Sequence, residues 1–484
     1  MKKDSVGKNY VFYTIYQVLM ILLPLITTPY ISRVLLPEGI GLISYTNSIS
    51  NYIVLIVSFG TGIYANRKIA FLQDNYEEQN KIFWEILLIR FISVTGGIVL
   101  YGYFIFTSKN KILMLIQGIY IIAEYFNVDW LFTGNESFRS TVARGIIVKL
   151  LGIISIFLFV KTVDDIKIYA FILAISVLGG NLSLWFYMPK YIVPVKVKLG
   201  NCWEHILGSL TLFIPQLAGS IYLYVDKIML GLMTTSTIYS GYYEQSQKIV
   251  RLSLTIVTSL SAVMLPRTAN AYAKGKHEDV KRYLNFSLHF LTFLGIPMVL
   301  GLCAIADNLI PWFMGSQYQK VALLLKILSP IIFLNGLYNM VGCQYFLATK
   351  KEMIFTLTVV AGAGVNLLLN WMLIPVYYDL GAVIGSVFAE ATVSLLQLFY
   401  IRKIIDIKYF LRSLVKNGVG GGVMFLILYC LEKQLPPELW ATLILVLCGG
   451  VLYIGIEFYL KDELLLLVLK NVKTRYIYVR KKKN

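Results

Sequence analysis

The chain has 484 residues, 57% of them hydrophobic and only 14% charged, with a formal net charge of +18. A soluble domain carries about a quarter charged residues and a single core stops growing near ~250–300 residues, so a soluble globular fold is excluded. A basic nucleic-acid-binding domain is excluded too, because the lysines and arginines are scattered between apolar blocks rather than gathered on one polar surface.

The blocks are about 18–25 residues long, enough to cross the ~30 Å hydrocarbon of a bilayer as helix. The first follows "MKKDSVGKNYVFY" and continues through "LMILLPLITT" with no small-residue cleavage site, so it reads as a retained helix rather than a signal peptide. In chain order the apolar centres fall near residues 21, 51, 94, 122, 151, 178, 217, 254, 294, 334, 363, 390, 422 and 449. The fold class expected is therefore an all-α polytopic membrane protein with fourteen spans. The connections are too short to fold as a catalytic domain, so any chemistry belongs inside the bundle. With the N-terminus inside, the outer segments carry only Arg33, Lys109, Lys111, Lys161, Lys167, Lys227, Lys320 and Lys433. The remaining basic residues of the connections fall on the inner side, which predicts cytoplasmic termini. The closing "VKTRYIYVRKKKN" reads as a solvated or headgroup-binding tail.

Shifting the chain by 200 positions lays "GLISYTNSISNYIVLIVSFGTGIYANR" (41–67) over "GYYEQSQKIVRLSLTIVTSLSAVMLPR" (241–267) without a gap. Gly41 meets Gly241, Ile49 meets Ile249 and Arg67 meets Arg267. Six spans per repeat is an even number, the parallel-repeat case of two lobes around a central site. The expected organisation is an N-terminal lobe at 1–200 (spans 1–6) and a C-terminal lobe at 201–408 (spans 7–12). Spans 13 and 14 follow at 409–461, and the basic tail at 462–484.

Ionisable residues inside a span cost roughly 2.5–3.5 kcal/mol and usually face a cavity or one another. In span 8, Glu244, Lys248 and Arg251 repeat at i, i+4 and i+7, followed by Thr255, and so share one face. The matching face of span 2 carries Ser44, Ser48 and Asn51. Together these are candidates to line a wet, net-cationic cavity between lobes; a self-satisfied salt bridge is the alternative. Arg90, Glu124, Lys149, Lys326 and Glu390 are further buried candidates, each facing the cavity or a packing partner. His289 reads as a satisfied buried side chain, and "GVGGGV" (418–423) as close helix packing. The five cysteines form no CxxC or Cys/His cluster, so no metal, disulfide or cofactor is expected.

Three stretches resemble one family. "TTPYISRVLLPEGIGL" (27–42), "DWLFTGNESF" after span 4 and "VDKIMLGLM…GYYEQSQKI" across spans 7 and 8 are similar to the Wzx-type polysaccharide repeat-unit flippases, within the superfamily that includes the multidrug exporters. Many relatives have glycine where this chain has Leu36. The resemblance implies translocation of undecaprenyl-diphosphate-linked oligosaccharide from the inner to the outer leaflet of a bacterial plasma membrane, for capsule, exopolysaccharide or O-antigen synthesis. The pathway's polymerase and glycosyltransferases are the implied partners, and no enzymatic activity is expected. A multidrug exporter, a lipid II flippase and a membrane polysaccharide polymerase or O-acyltransferase are the alternatives. Physically, Pro24 and Pro29 are expected to bend span 1, as Pro215 bends span 7. Arg33 beside Glu38, and the pair Asp226 and Lys227, are expected at the outer rim. The lobes hold no ATP-binding sequence, so coupling to a proton or sodium gradient is expected, as an antiporter, with Glu124, Glu244 or Glu390 as ion site. Downhill flipping is the alternative.

Overall fold

The computed structural model describes residues 6–466 apart from Asp74 and Lys198, with the backbone alone at residues 6–22, 138–143, 199, 201, 215, 218 and 222. Most of the expected basic tail lies outside the described residues. Every one of the fourteen apolar centres falls in a helix. Ten helices are long and apolar enough to cross a membrane among the described residues, or eleven when the pair Ser316–Leu328 and Ile331–Leu347, bent by 46°, counts as one. The count of fourteen is thus not reached on length and apolarity.

The helices segregate into two compact units, Met1–Gly241 and Tyr242–Asn484. In the first unit, α1 runs Val6–Ser58 and carries both of the first two expected spans. Its backbone leaves the helical region only at Leu36, with φ 57° and ψ 170°. The cause is local: Pro37 disfavours helical backbone at the residue before it. Pro24 and Pro29, expected to bend the helix, lie within α1 with no such break. Immediately after the break, Gly41 and Gly241 pack against one another's helices. A Cβ on Gly41 would lie 1.7 Å from the Thr237 carbonyl oxygen, and one on Gly241 would lie 2.0 Å from the Pro37 carbonyl oxygen. The Thr237 hydroxyl donates to the Glu38 carbonyl at 3.1 Å across the same crossing. The two glycines paired by the sequence repeat are therefore direct neighbours.

Gly60 follows in the left-handed region (φ 83°) and starts α2, Thr61–Phe71. Next come α3 (Tyr76–Thr107), α4 (Lys111–Gln117), α5 (Ile119–Tyr125), α6 (Asp129–Gly134), α7 (Phe138–Phe159) and α8 (Ile166–Trp185). The fourth expected span is thus three short helices, and the breaks expose backbone carbonyls to side-chain donors. The seventh expected span is α9 (Leu199–Ser220), a π-helical turn at Ile221–Val225, and α10 (Asp226–Met233). The chain stays helical through Pro215, and the irregularity falls at the π turn. These helices fall in the first compact unit, which ends at Gly241. Small residues explain the attachment. Gly208 leaves room for the Tyr64 ring and Gly231 for the Tyr45 ring, where a Cβ would come within 2.3 and 2.0 Å.

The second unit takes most of α11 (Ile238–Ala273), then α12 (His277–Met314), α13 (Gln319–Leu328), α14 (Ile331–Tyr338), α15 (Glu352–Tyr377), α16 (Asp379–Ile401), α17 (Ile407–Glu432) and α18 (Leu439–Tyr459). In α18 the buried positions include Thr442 and Glu457, while Leu447, Val451 and Tyr459 face outward. The same inversion marks α3, where Glu85 and Arg90 are buried and Phe91, Val99 and Phe106 are exposed. Polar groups inside and bulky apolar groups outside is the distribution a lipid solvent selects. The chain is a multi-pass membrane protein.

Candidate functional site: a charge-compensated cavity in the first unit

A cavity of about 520 Å³ opens in the first unit. Its wall is built where three helix breaks converge: the α1–α2 turn at Gly60, the α5–α6 link at Asn127, and the π turn that places Tyr224. Arg90, 2% exposed, reaches it from α3, and Glu124, 6% exposed, from α5. The guanidinium lies 3.1 Å from Glu124 Oε1. It donates to Thr61 Oγ1 at 2.9 Å and to the Asn127 carbonyl at 2.7 Å, and sits 5.9 Å from the centroid of the Trp130 ring. Asn127 in turn donates its amide to both Glu124 oxygens, at 3.2 and 3.0 Å, and Trp130 Nε1 donates to the Asn127 carbonyl at 3.1 Å.

This arrangement decides the chemistry of the cavity. A buried cation that faces a carboxylate and donates to a hydroxyl and a carbonyl has its charge compensated within the protein. What the wall offers is amide, hydroxyl and carboxylate groups (Asn51, Asn66, Asp129, Thr133, Gln216) beside two aromatic rings, Trp130 and Tyr224. Asn51 is fixed from behind, its amide donating to Asn47 Oδ1 at 2.7 Å, and Asn47 donates to Gln117 Oε1 at 3.0 Å.

The other expected site residues divide as follows. Ser44 and Ser48 are buried, 7% and 2% exposed, and Asn51 of that face lines the cavity. In the second unit, Lys248 is 3.9 Å from Glu244 and partly exposed, as an i, i+4 pair, and Arg251 is exposed and donates to Gln247 Oε1 at 2.9 Å. Arg33 and Glu38 are exposed. Asp226 and Lys227, expected at the outer rim, are buried at the start of α10, directly after the π turn. Glu390 is buried and accepts from Asn335 at 2.9 Å. Lys149 is exposed on α7, and Lys326 pairs with Asp307. Trp130, Asn127, Gln216 and Tyr224 were not singled out. Trp130 and Asp129 do stand in the "DWLFTGNESF" stretch, and that was the available signal.

A two-unit membrane protein, all-helical among the described residues, with a charge-compensated polar cavity has the architecture that transporters use. A family model described as "Polysaccharide biosynthesis protein" matches residues 6–272, more than half of the chain, and a second, "MatE", matches residues 212–372. The chain belongs to the polysaccharide biosynthesis protein family. It is 25% identical over 406 residues to a "Putative O-antigen transporter" of Escherichia coli K12, covering 83% of this chain and 97% of that one. It is also 19% identical over 216 residues to a "Probable low-salt glycan biosynthesis flippase Agl15" of Haloferax volcanii, covering 44% and 45% of the two chains. Among solved structures, "Lipid II flippase MurJ, inward closed conformation" superposes with a TM-score of 0.77 at 18% identity, covering 94% of this chain and 100% of that one. An inward-facing multidrug resistance MATE family transporter gives 0.59 at 12% identity, covering 79% and 98%. The resemblance drawn from the three sequence stretches agrees with these matches, and the relatives are named as transporters and flippases rather than enzymes.

Proposed function

We propose that this protein flips a lipid-linked oligosaccharide, carried on undecaprenyl diphosphate, from the inner to the outer leaflet of a bacterial plasma membrane. The observation that carries this reading is the cavity of the first unit. Its cation is compensated by Glu124, and its wall combines side-chain amides and carboxylates with an indole and a phenol. Sugar hydroxyls need that combination of donors and acceptors with a flat apolar face, whereas a lipophilic cation needs an unpaired acid. The diphosphate is assigned to Lys248 and Arg251 of α11, where one acid stands against two cations; arginine grips phosphate as a fork and lysine as a point charge. The two sequence repeats act as lobes that alternate access, with both termini cytoplasmic and Leu36 and the π turn as the flexing points. Coupling to proton or sodium is assigned to Glu124, Glu244 or Glu390. Asp226 and Lys227 act from within the bundle and Arg33 at the rim.

The test is reconstitution of the full chain in liposomes with a fluorescent isoprenoid-diphosphate oligosaccharide, scored by the fraction reached by an impermeant sugar-oxidising reagent. Time-dependent loss of protection is expected. Export of cationic dyes without movement of the oligosaccharide would instead establish the multidrug reading.

A further inference from the structure

The second unit holds a buried ionisable cluster that the transport reading does not use, beside a separate cavity of about 460 Å³. We propose that His289, Asp462 and Glu457 form a proton-binding site, loaded from this cavity through Glu463 and Tyr409, whose occupancy holds α17 and α18 onto α12. The inference goes beyond the substrate assigned above and does not depend on it.

The hydrogen-bond directions carry the argument. Tyr409 Oη donates to Glu463 Oε2 at 3.0 Å, and its single proton is thereby spent. Its oxygen is 2.7 Å from His289 Nδ1, so that nitrogen must supply the proton of this second bond. His289 Nε2 faces only the Asp462 carboxylate, at 3.2 and 3.1 Å, and must carry a proton as well. Nδ1 also has the Ser413 hydroxyl at 3.4 Å, itself engaged with Thr292 Oγ1 at 2.6 Å; with Tyr409 and Asp462 as acceptors on its two nitrogens, His289 is assigned as an imidazolium.

The surrounding charges call for one proton within the cluster. Asp462 and Glu457 are both fully buried. Asp462 accepts from the backbone N–H groups of Leu464 and Leu465 and lies 3.7 Å from Lys416 Nζ. Glu457 sits in space left by Gly420 of the "GVGGGV" stretch, where a Cβ would come within 2.4 Å of its Oε1. The Asn417 amide, oriented to satisfy both its atoms, donates to Glu457 Oε2 at 3.2 Å. Tyr453, on the same helix as Glu457, donates to the Phe293 carbonyl at 2.7 Å. Two buried carboxylates against Lys416 and the imidazolium are neutral; without the proton, one negative charge is left buried and uncompensated.

The path for that proton is a relay. The Tyr409 O–H bond breaks toward Glu463 as the His289 Nδ1–H proton passes to the phenol oxygen. Glu463 then holds the proton, exposed at the cavity. The remaining charged groups at the cavity are Glu278, Lys281, Arg282 and Asp406.

The test uses the full chain in liposomes with ¹⁵N-labelled histidine, read by solid-state NMR. With three histidines in the chain, the His289 ring is assigned by the signal lost in His289→Gln. Two protonated ring nitrogens are expected, with loss of the Nδ1 proton alone as the pH is raised. Glu457→Gln should move that loss to lower pH and Lys416→Met to higher pH, and Tyr409→Phe should abolish rapid exchange of the Nδ1 proton with water. A wild-type ring that keeps one neutral tautomer across about pH 5–8 overturns the proposal, and this result needs no variant to fold. Opposite-signed variants that leave the titration in place overturn it too. No readout involves transport, so failure here and failure of oligosaccharide flipping are separate results.

Discussion

Replacing Gly41 by alanine tests whether the crossing of the two repeat-equivalent glycines holds the first unit together. The added Cβ would lie 1.7 Å from the Thr237 carbonyl oxygen and 2.8 Å from the Gly241 nitrogen. A relaxed carbon–oxygen contact is about 3.3 Å, so the two backbones must part by about 1.5 Å. Overpacking costs about 1–3 kcal/mol, and the obstacle here is main chain, which cannot swing aside as a side-chain tip can. The upper figure applies, and the helix propensity gained over glycine offsets about 1 kcal/mol of it. A net loss of about 2 kcal/mol lowers the unfolding midpoint by roughly 4–8 °C in a unit of this size. The control is Gly96→Ala on α3, where a Cβ meets nothing within 4 Å; that change should be neutral or stabilising. Gly241→Ala, whose Cβ would be 2.0 Å from the Pro37 carbonyl oxygen, should resemble Gly41→Ala. The double variant should cost less than the two single losses combined, because one separation relieves both overlaps. The assay is fluorescence-detected size exclusion after heating. Equal midpoints for Gly41→Ala and Gly96→Ala would refute the close crossing.

Arg90→Gln or Glu124→Gln alone leaves a buried charge unpaired and should cost about 3–5 kcal/mol, whereas the double change should recover much of it; a double variant as unstable as either single one contradicts the pairing. Leu36→Gly removes a left-handed non-glycine strain of order 1–3 kcal/mol against about 1 kcal/mol of glycine entropy and some lost side-chain contact. Its thermal midpoint should therefore hold or rise, and a drop equivalent to more than ~2 kcal/mol counts against the strain. On α11, Arg251→Lys should keep part of the flipping rate and Arg251→Gln lose most of it; unchanged rates in both would remove the diphosphate from this stripe. Burial pushes the Asp462 carboxyl up, but His289, the backbone N–H of Leu465 and Lys416 outweigh it and hold it below its ordinary 3.8. A depressed folded value means stability present above about pH 4 and lost as the pH falls below it. Asp462→Asn should flatten that acid dependence of the midpoint.

The helical segments were legible because apolar blocks separated by charged connections have one physical solution in a bilayer. The breaks inside them were less so. Leu36 was marked by its departure from glycine, and that departure is where the backbone takes φ 57°; the prolines drew attention to Pro24 and Pro29, yet it is the residue before Pro37 that leaves the helix. Arg90 and Glu124 were both singled out as buried charges, but composition gives no register between separate helices. Whether they faced a ligand or one another could not be read from spacing. The structure pairs them, so the Arg90 charge in this cavity is compensated by Glu124.

The repeat and the packing record different things. The 200-residue shift aligns α9 and α10 with the start of the chain, yet these helices pack into the first unit through Gly60, Gly208 and Gly231, and His205 on α9 is 2.9 Å from both the Tyr64 hydroxyl and Glu85 Oε2. A repeat reports which segments share a pattern; which segments share a core depends on where a missing Cβ lets two backbones approach. Such approaches are made by single residues in stretches whose overall hydropathy is unchanged, so a count of apolar blocks passes over them. The polar wall of the cavity has the same origin. Asn127, Gln216 and Tyr224 come together because helices end or loosen beside them, and breaks of that kind within an apolar block are where a membrane protein can present polar groups to a cargo.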